Sequence, residues 1–484
     1  MISALVLCLL TSTIVRPGNA FLDRYTIIPP LGTVKSIDTS LRSVFALNDN
    51  YLLVFEKQDF ELEKTLHFEK TTQLIGYDEY FDDVWVLTEN SIVRLNALTF
   101  SALEFPLSTT VVAFGIGPDA LFLDGTADYR LDKRTGVLQR IYEFPENLKW
   151  RRRAMDAELQ RYPFLTPYYY YDEPAETQQP FAEFSITALH QDGIDLYIGT
   201  DRYGILKYNT ITWNKERFVY GPLDSRIYRV REFEDVVYLI SAQGISTYPQ
   251  DTQNWRYLRF AQRITDMLPL GNTFLFSVGN RLSEMESGVM LTVGNTTADI
   301  LTLSADESYI YIGTRSGLRR MERGSQTLMP FGPDRYAVYS IYATDETIYA
   351  GDEFALYAYD RLLRTWAEVV PLGIKDIVEL KDNLYLLGLN NQLMRRPLHR
   401  DTTAQDTADW FLLPYFNIYD IDTDGDVLYC ASFAGVYAYE PETEFYSMIH
   451  NLPSLRYDHV FVIDSTIVAV AQDNLYALPI EHRN

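Results

Sequence analysis

One phrase recurs along this chain: a short apolar strand, an Asp/Asn/Gly turn, a run such as Leu-Tyr-Ile-Gly-Thr, a second turn, then an apolar strand often ending in Tyr. The clearest copies are Asp195–Thr200 and Tyr309–Thr314, followed by Thr347–Gly351, Asn383–Leu387 and Val427–Ala431. Weaker copies centre on Phe45, Trp85, Leu121, Tyr238, Leu275 and Val468. Anchored on the central residue, the copies fall at 45, 85, 121, 197, 238, 275, 311, 349, 385, 429 and 468. Successive spacings stay between 36 and 44 residues except for one of 76, which holds a unit plus an insertion. Period-2 runs of β-branched and aromatic residues between turn residues make each unit a strand meander. Its inner strands are apolar on both faces, so a lone unit cannot bury itself, whereas units stacked face to face around an axis can. Sandwich domains in tandem would need longer and less uniform modules. The fold class expected is therefore all-β, a β-propeller of about eleven four-stranded blades.

Eleven blades exceed the usual range of about four to eight for one ring. The array is expected as two rings, one inserted in the other, or as one large ring. The last unit, from about Arg456 to Pro479, supplies three strands and stops. Thr26-Ile27-Ile28-Pro29-Pro30-Leu31-Gly32 resembles the outer-strand phrase Glu368–Gly373, so the N-terminal strand is expected to complete the last blade.

Residues 2–15 carry no charge and are rich in Leu, Val and Ile, and Pro17–Ala20 follow, a pattern that fits a signal peptide over residues 1–20. Blades then occupy 21–145 and 183–484, and residues 146–182 break the repeat. Within that insertion Asn147–Arg161 is made of good helix formers, and a Pro- and Tyr-rich loop follows. The whole should overhang the ring face where the channel opens. No later run is long and apolar enough for a membrane helix, so no transmembrane anchor is expected.

With 42 basic and 66 acidic residues the net charge is −24, which repels phosphate backbones and excludes nucleic acid as a natural partner. Of the two cysteines, Cys8 lies in the leader, and Cys430 reads as a small buried hydrophobe. Asp420–Asp426 opens like a calcium loop, but its twelfth position is Ala431 where a bidentate Glu is needed. It reads as an Asp-rich hairpin, and no metal or cofactor is expected. The six histidines show no metal spacing, and no nucleophile or phosphate-loop motif occurs.

The insertion holds the candidate recognition residues. Trp150, Arg151, Arg152 and Arg153 belong to the densest basic cluster in an acidic chain, and Tyr168, Tyr169, Tyr170 and Tyr171 offer flat amphipathic surface. A bland reading competes with this one: arginines paired with an acidic rim, and tyrosines packing the insertion onto the ring.

The phrase Asp195–Tyr208 and the run Ser308–Leu318 resemble the blade consensus of two-component regulator propellers. That family forms periplasmic sensor regions of bacteria, commonly as two rings ahead of a membrane helix and a histidine kinase. Most blades here have Tyr where the family has Trp before Ile-Gly-Thr, so the resemblance implies the fold and not the sensing role. The expectation for function is an exported module, secreted or periplasmic, that binds or scaffolds a protein, peptide or glycan without catalysis. The alternative is a propeller enzyme, a lyase or glycosidase, with acidic residues converging at the channel mouth.

Overall fold

A computed structural model describes residues 25–480 apart from 154–158, 166–167, 171–182, 234–235, 249–254, 261–262, 271–272, 287–288, 399–410, 414–416 and 464. The leader lies outside the described residues, as does Tyr171. Among those described, the strands form eleven antiparallel sheets. Each of the eleven anchors sits in the second strand that the repeat contributes to its sheet, from Phe45 in Ser43–Asn48 to Val468 in Thr466–Ala471. The chain is thus an all-β protein of propeller architecture. No described helix is long and apolar enough to cross a membrane.

The second strands explain the repeat. Tyr309–Thr314 and Asp195–Thr200 are buried along all but their first residue, because a neighbouring sheet covers each face. The anchor tyrosines Tyr197, Tyr311 and Tyr385 are at most 1% exposed. A buried hydroxyl needs a partner, and for Tyr311 and Tyr429 the preceding hairpin supplies it. Tyr311 donates to Asp306 at 2.6 Å, and Tyr429 donates to Asp424 at 2.8 Å. The same carboxylates close their turns, Asp306 accepting from the N–H groups of Ser308 and Tyr309, and Asp424 from those of Asp426 and Val427. Asp424, one of the acids of the calcium-like sequence, is therefore occupied by a hairpin and a tyrosine. Cys430, next to Tyr429 on the same strand, is buried, and burial pushes its thiol up.

The chain divides into two compact units. One comprises Leu31–Tyr171 with Glu183–Tyr220, and the other contains Arg24–Pro30 and Gly221–Asn484. The first unit holds four sheets, whose first repeat strands are Val34–Thr39, Thr72–Asp78, Val111–Ile116 and Glu183–Asp192. The second holds seven. Their first strands, from Ile227–Phe233 to His459–Ile463, lie each against the next, and His459–Ile463 in turn touches Ile227–Phe233. Thr26–Ile28 is the fourth strand of the last sheet, paired with Asn474–Pro479 so that Ile27 faces Tyr476.

Neighbouring sheets do not share a ladder, so the N–H groups of a first strand need other acceptors. Side chains from the adjacent first strand provide them. Ser36 accepts from Ile75 N–H and Asp38 from Tyr77 N–H in the first unit. In the second, Asp266 accepts from Leu303, Asp420 from Val460 and Asp422 from Val462. Asp266 is fully buried and also holds the guanidinium groups of Arg229 at 2.7 Å and Arg231 at 2.8 Å. Removing one member of such a buried set strands the others without compensation, at a cost of about 3–5 kcal/mol. Asp266→Ala should lower the urea midpoint of the second unit by a corresponding amount. An unchanged midpoint would show that the carboxylate is not holding the sheets.

Candidate ligand-binding site

The basic cluster forms a strand. Lys149–Arg152 pairs with Val111–Ile116, placing Trp150 opposite Gly115 and Arg151 opposite Phe114 on the inner side of the third sheet. Helix formers thus adopt strand geometry, because the inner edge of Val111–Ile116 offers ladder partners and tertiary contacts outweigh propensity. Two glycines make room. A Cβ on Gly115 would lie 3.0 Å from Leu148 Cδ1, and one on Gly76 would lie 3.0 Å from Arg151 Cγ. Trp150 meets Phe144 edge-on at 4.9 Å between ring centroids.

At the other end of the insertion, Tyr168–Tyr170 pairs with Glu183–Asp192, again outside the first repeat strand. Lys149–Arg152 and Tyr168–Tyr170 therefore extend sheets, whereas residues 154–158 of the helix expected over Asn147–Arg161 and most of the expected loop lie outside the described residues. The backbone of the tyrosines is placed on the fourth sheet, next to Ser185, Phe184 and Glu183.

Arg151 reaches Asp38, a fully buried carboxylate on Val34–Thr39. Lys149 Nζ lies 3.6 Å and His190 Nε2 3.5 Å from Asp38 Oδ1, and the N–H groups of Tyr77 and Thr39 donate to the same carboxyl. Burial alone would raise this acid, but Arg151, His190, Lys149 and the Tyr77 N–H together hold it below the usual carboxylate range. His190 is lowered to about 4, chiefly by burial and against the pull of Asp38, with Arg151 and Lys149 adding to the fall. The imidazole is therefore neutral at pH 7, and its Nε2 sits 3.0 Å from the Thr39 hydroxyl.

A cavity of about 440 Å³ opens beside this cluster, lined by Trp150, Arg151, Arg152 and Arg153 together with Lys35, Asp49 and Thr187. Its described lining carries four cations and one carboxylate. Arg152 stacks 4.3 Å from the Trp150 ring and stays half exposed, with Asp124 at 3.4 Å. Arg151 keeps a buried Nε with no hydrogen-bond partner among the described residues. Lys35 is lowered by burial and by Arg153, with Asp49 only partly offsetting them. Cations left short of counter-charge around an open space suit an acidic group.

The structure thus brings Trp150, Arg151, Arg152 and Arg153 to one cavity and gives Arg151 a structural partner as well. Lys35, Asp38, Asp49 and His190 were not singled out from the sequence. Asp38 and His190 stand on first repeat strands, Val34–Thr39 and Glu183–Asp192, which carry other polar residues as well. Nothing in one chain linked positions 38, 151 and 190, which lie in different sheets. Among the described residues, no group of three or more His, Cys, Asp or Glu side chains is placed to hold a metal ion.

No family model matches the chain, and no curated protein matches its sequence. Similarity appears among solved structures. The extracellular domain of a hybrid two-component system from B. thetaiotaomicron aligns at 11% identity over 93% of this chain and 70% of that one, with a TM-score of 0.45. The computationally designed Ika8 protein aligns at 11% identity over 64% of this chain and 99% of its own, with a TM-score of 0.43. The WD40 beta propeller domain of Doa1 aligns at 9% identity over 52% and 92%, with a TM-score of 0.42.

His190 supplies a prediction for this cluster. A histidine near 4 when folded and near its ordinary value of 6.5 when unfolded binds protons better unfolded. Its contribution is complete above pH 6.5 and is lost as pH falls toward 4, by up to about 3 kcal/mol. Urea midpoints measured from pH 7 to pH 4 should fall less steeply in His190→Asn than in the wild type. Parallel slopes would mean that His190 is not held neutral.

Proposed function

We propose that the protein is an exported binding module, secreted or periplasmic, that holds an acidic group of a protein, peptide or glycan in the cavity beside Trp150–Arg153. The observation that carries this reading is the excess of cations around that cavity in a chain whose net charge is −24. Trp150 and the half-exposed guanidinium of Arg152 add a flat surface beside the charges, of the kind used to hold planar or sugar groups. The export part of the proposal rests on the apolar run of residues 2–15.

The enzyme alternative has one observation in its favour: Asp376, Asp420 and Asp422 stand on neighbouring strands of the second unit, with His459 3.2 Å from Asp420. A lyase or glycosidase needs acids free to exchange protons with substrate. Asp420 and Asp422 instead accept the N–H groups of Val460 and Val462. Two of the three acids are thus engaged in joining sheets, which favours binding over catalysis.

The test is calorimetric titration of the full chain with oligoglutamate and with a uronic-acid oligosaccharide, each beside an uncharged counterpart. At least one acidic probe should bind, and Arg152→Ala/Arg153→Ala should weaken it by about tenfold or more, as expected for lost charge-assisted contacts. Equal affinity in wild type and double variant would refute the site.

A further inference from the structure

In the second unit one register position of the first strands is polar in every sheet: Arg229, Asp266, Thr302, Ser340, Asp376, Asp420 and His459. Most of these groups are committed to neighbouring strands. Asp266 and Asp420 accept the N–H groups of Leu303 and Val460, and the Ser340 hydroxyl donates to the carbonyl of Ile374 at 3.3 Å. Asp376 departs from the pattern. Ile421 N–H, the counterpart of Leu303 and Val460, does not donate to it. Among the described residues its hydrogen bond comes from Ile377 N–H, next to it on its own strand.

Asp376 lines a cavity of about 370 Å³ with Arg229, Arg231, Thr302, Ser340 and Tyr342. The two guanidinium groups share a single carboxylate, Asp266, which Arg231 holds through Nε and Nη2 and Arg229 through Nη1. Each fork retains N–H groups beyond those bonds, and the lining adds the carboxyls of Asp376 and Glu232. Paired arginines beside hydroxyls and one uncommitted carboxyl form a recognition set for a carboxylate that carries a nearby hydroxyl.

We propose that this cavity is a second binding site, for a small hydroxylated organic acid whose carboxylate is taken by Arg229 and Arg231 and whose hydroxyl bonds to Asp376. The site is independent of the basic cavity of the first unit, and neither reading requires the other.

Proton linkage follows from the groups around Asp376. Lys375 is its neighbour on the same strand, and Tyr342 and Glu379 join the strands Ser340–Ala343 and Ile374–Leu380 by a hydrogen bond. Asp420, paired with His459, and Asp422 stand on Ile418–Thr423, and Arg229 and Arg231 stand on Ile227–Phe233 with Asp266 beside them. Burial and Asp420 push Asp376 up to about 6, against the opposing pull of Arg229 and Arg231. Protonation below that pH removes a negative charge from the cavity, so an incoming carboxylate should bind about tenfold tighter at pH 5 than at pH 7.

The experiment titrates the full chain with lactate and gluconate, and with their uncharged counterparts propane-1,2-diol and sorbitol, at pH 5 and pH 7. At least one acid should bind, its counterpart should bind about tenfold more weakly or worse, and affinity should be higher at pH 5. Asp376→Asn, which strands no neighbouring N–H, should keep the acid bound and flatten the pH dependence. Arg231→Lys, which keeps the charge but not the fork, should weaken binding by about tenfold. Arg152→Ala/Arg153→Ala should leave it unchanged. Failure of both acids to bind, equal binding of the uncharged probes, a wild-type pH profile in Asp376→Asn, or loss of binding in Arg152→Ala/Arg153→Ala would each overturn the proposal.

Discussion

Sheets that stack without sharing a ladder leave the N–H groups of their first strands to be satisfied from the side, and a buried N–H left unmet costs about 1–3 kcal/mol. This chain meets the need with short polar side chains from the adjacent first strand, Ser36 and Asp38 in one unit and Asp266, Asp420 and Asp422 in the other. Each such acid then needs its own compensation, and that requirement recruits the cations. Asp266 draws in Arg229 and Arg231, and Asp38 draws in Arg151 and Lys149. The charge clusters of both units grow from one backbone problem. An acid near the axis is therefore no evidence of chemistry until its N–H partner has been sought.

That constraint also explains what could be read in advance. The repeat phrase marks the second strands, whose burial on both faces forces apolar, β-branched and aromatic residues, so all eleven anchors fall where the sheets require them. The Asp–Tyr pairs were half legible: Asp306 and Asp424 announce turns, but their grip on Tyr311 and Tyr429 across five residues shows only in three dimensions. Residues 149–152 misled because helix propensity is local, whereas the edge of Val111–Ile116 that captures them lies more than thirty residues upstream. The basic cluster was visible as composition. That all three guanidinium groups line one cavity, with Arg151 also bound to Asp38, was not, since Asp38 belongs to a different sheet.

The two cavities use the same residue types under opposite conditions. In the first unit the cations outnumber the acids that line the space, and burial, more than Arg153, lowers Lys35 against the pull of Asp49. In the second unit the arginines are held by a buried acid, and the group left uncommitted is itself a carboxyl, Asp376. An excess of fixed cations attracts acidic groups over a distance set by ionic strength. A clamped arginine pair acts at contact range, where the planar fork selects shape as well as charge.

Neutral His190 shows why the first cavity keeps its positive character. Asp38 is shared by Arg151 and Lys149, so one carboxylate faces two permanent cations. A charged imidazole in the same pocket would add a third without adding an acceptor, and burial makes that state costly. The ring instead sits beside the Thr39 hydroxyl and leaves Asp38 to the guanidinium and ammonium groups. Arg151 stays anchored at one end while its buried Nε remains without a described partner. The residue is held firmly enough to position Trp150 and Arg152, yet it is not saturated. An arginine anchored in this way beside an open space supplies a rigid wall, which lowers the reorganisation needed to hold an acidic ligand.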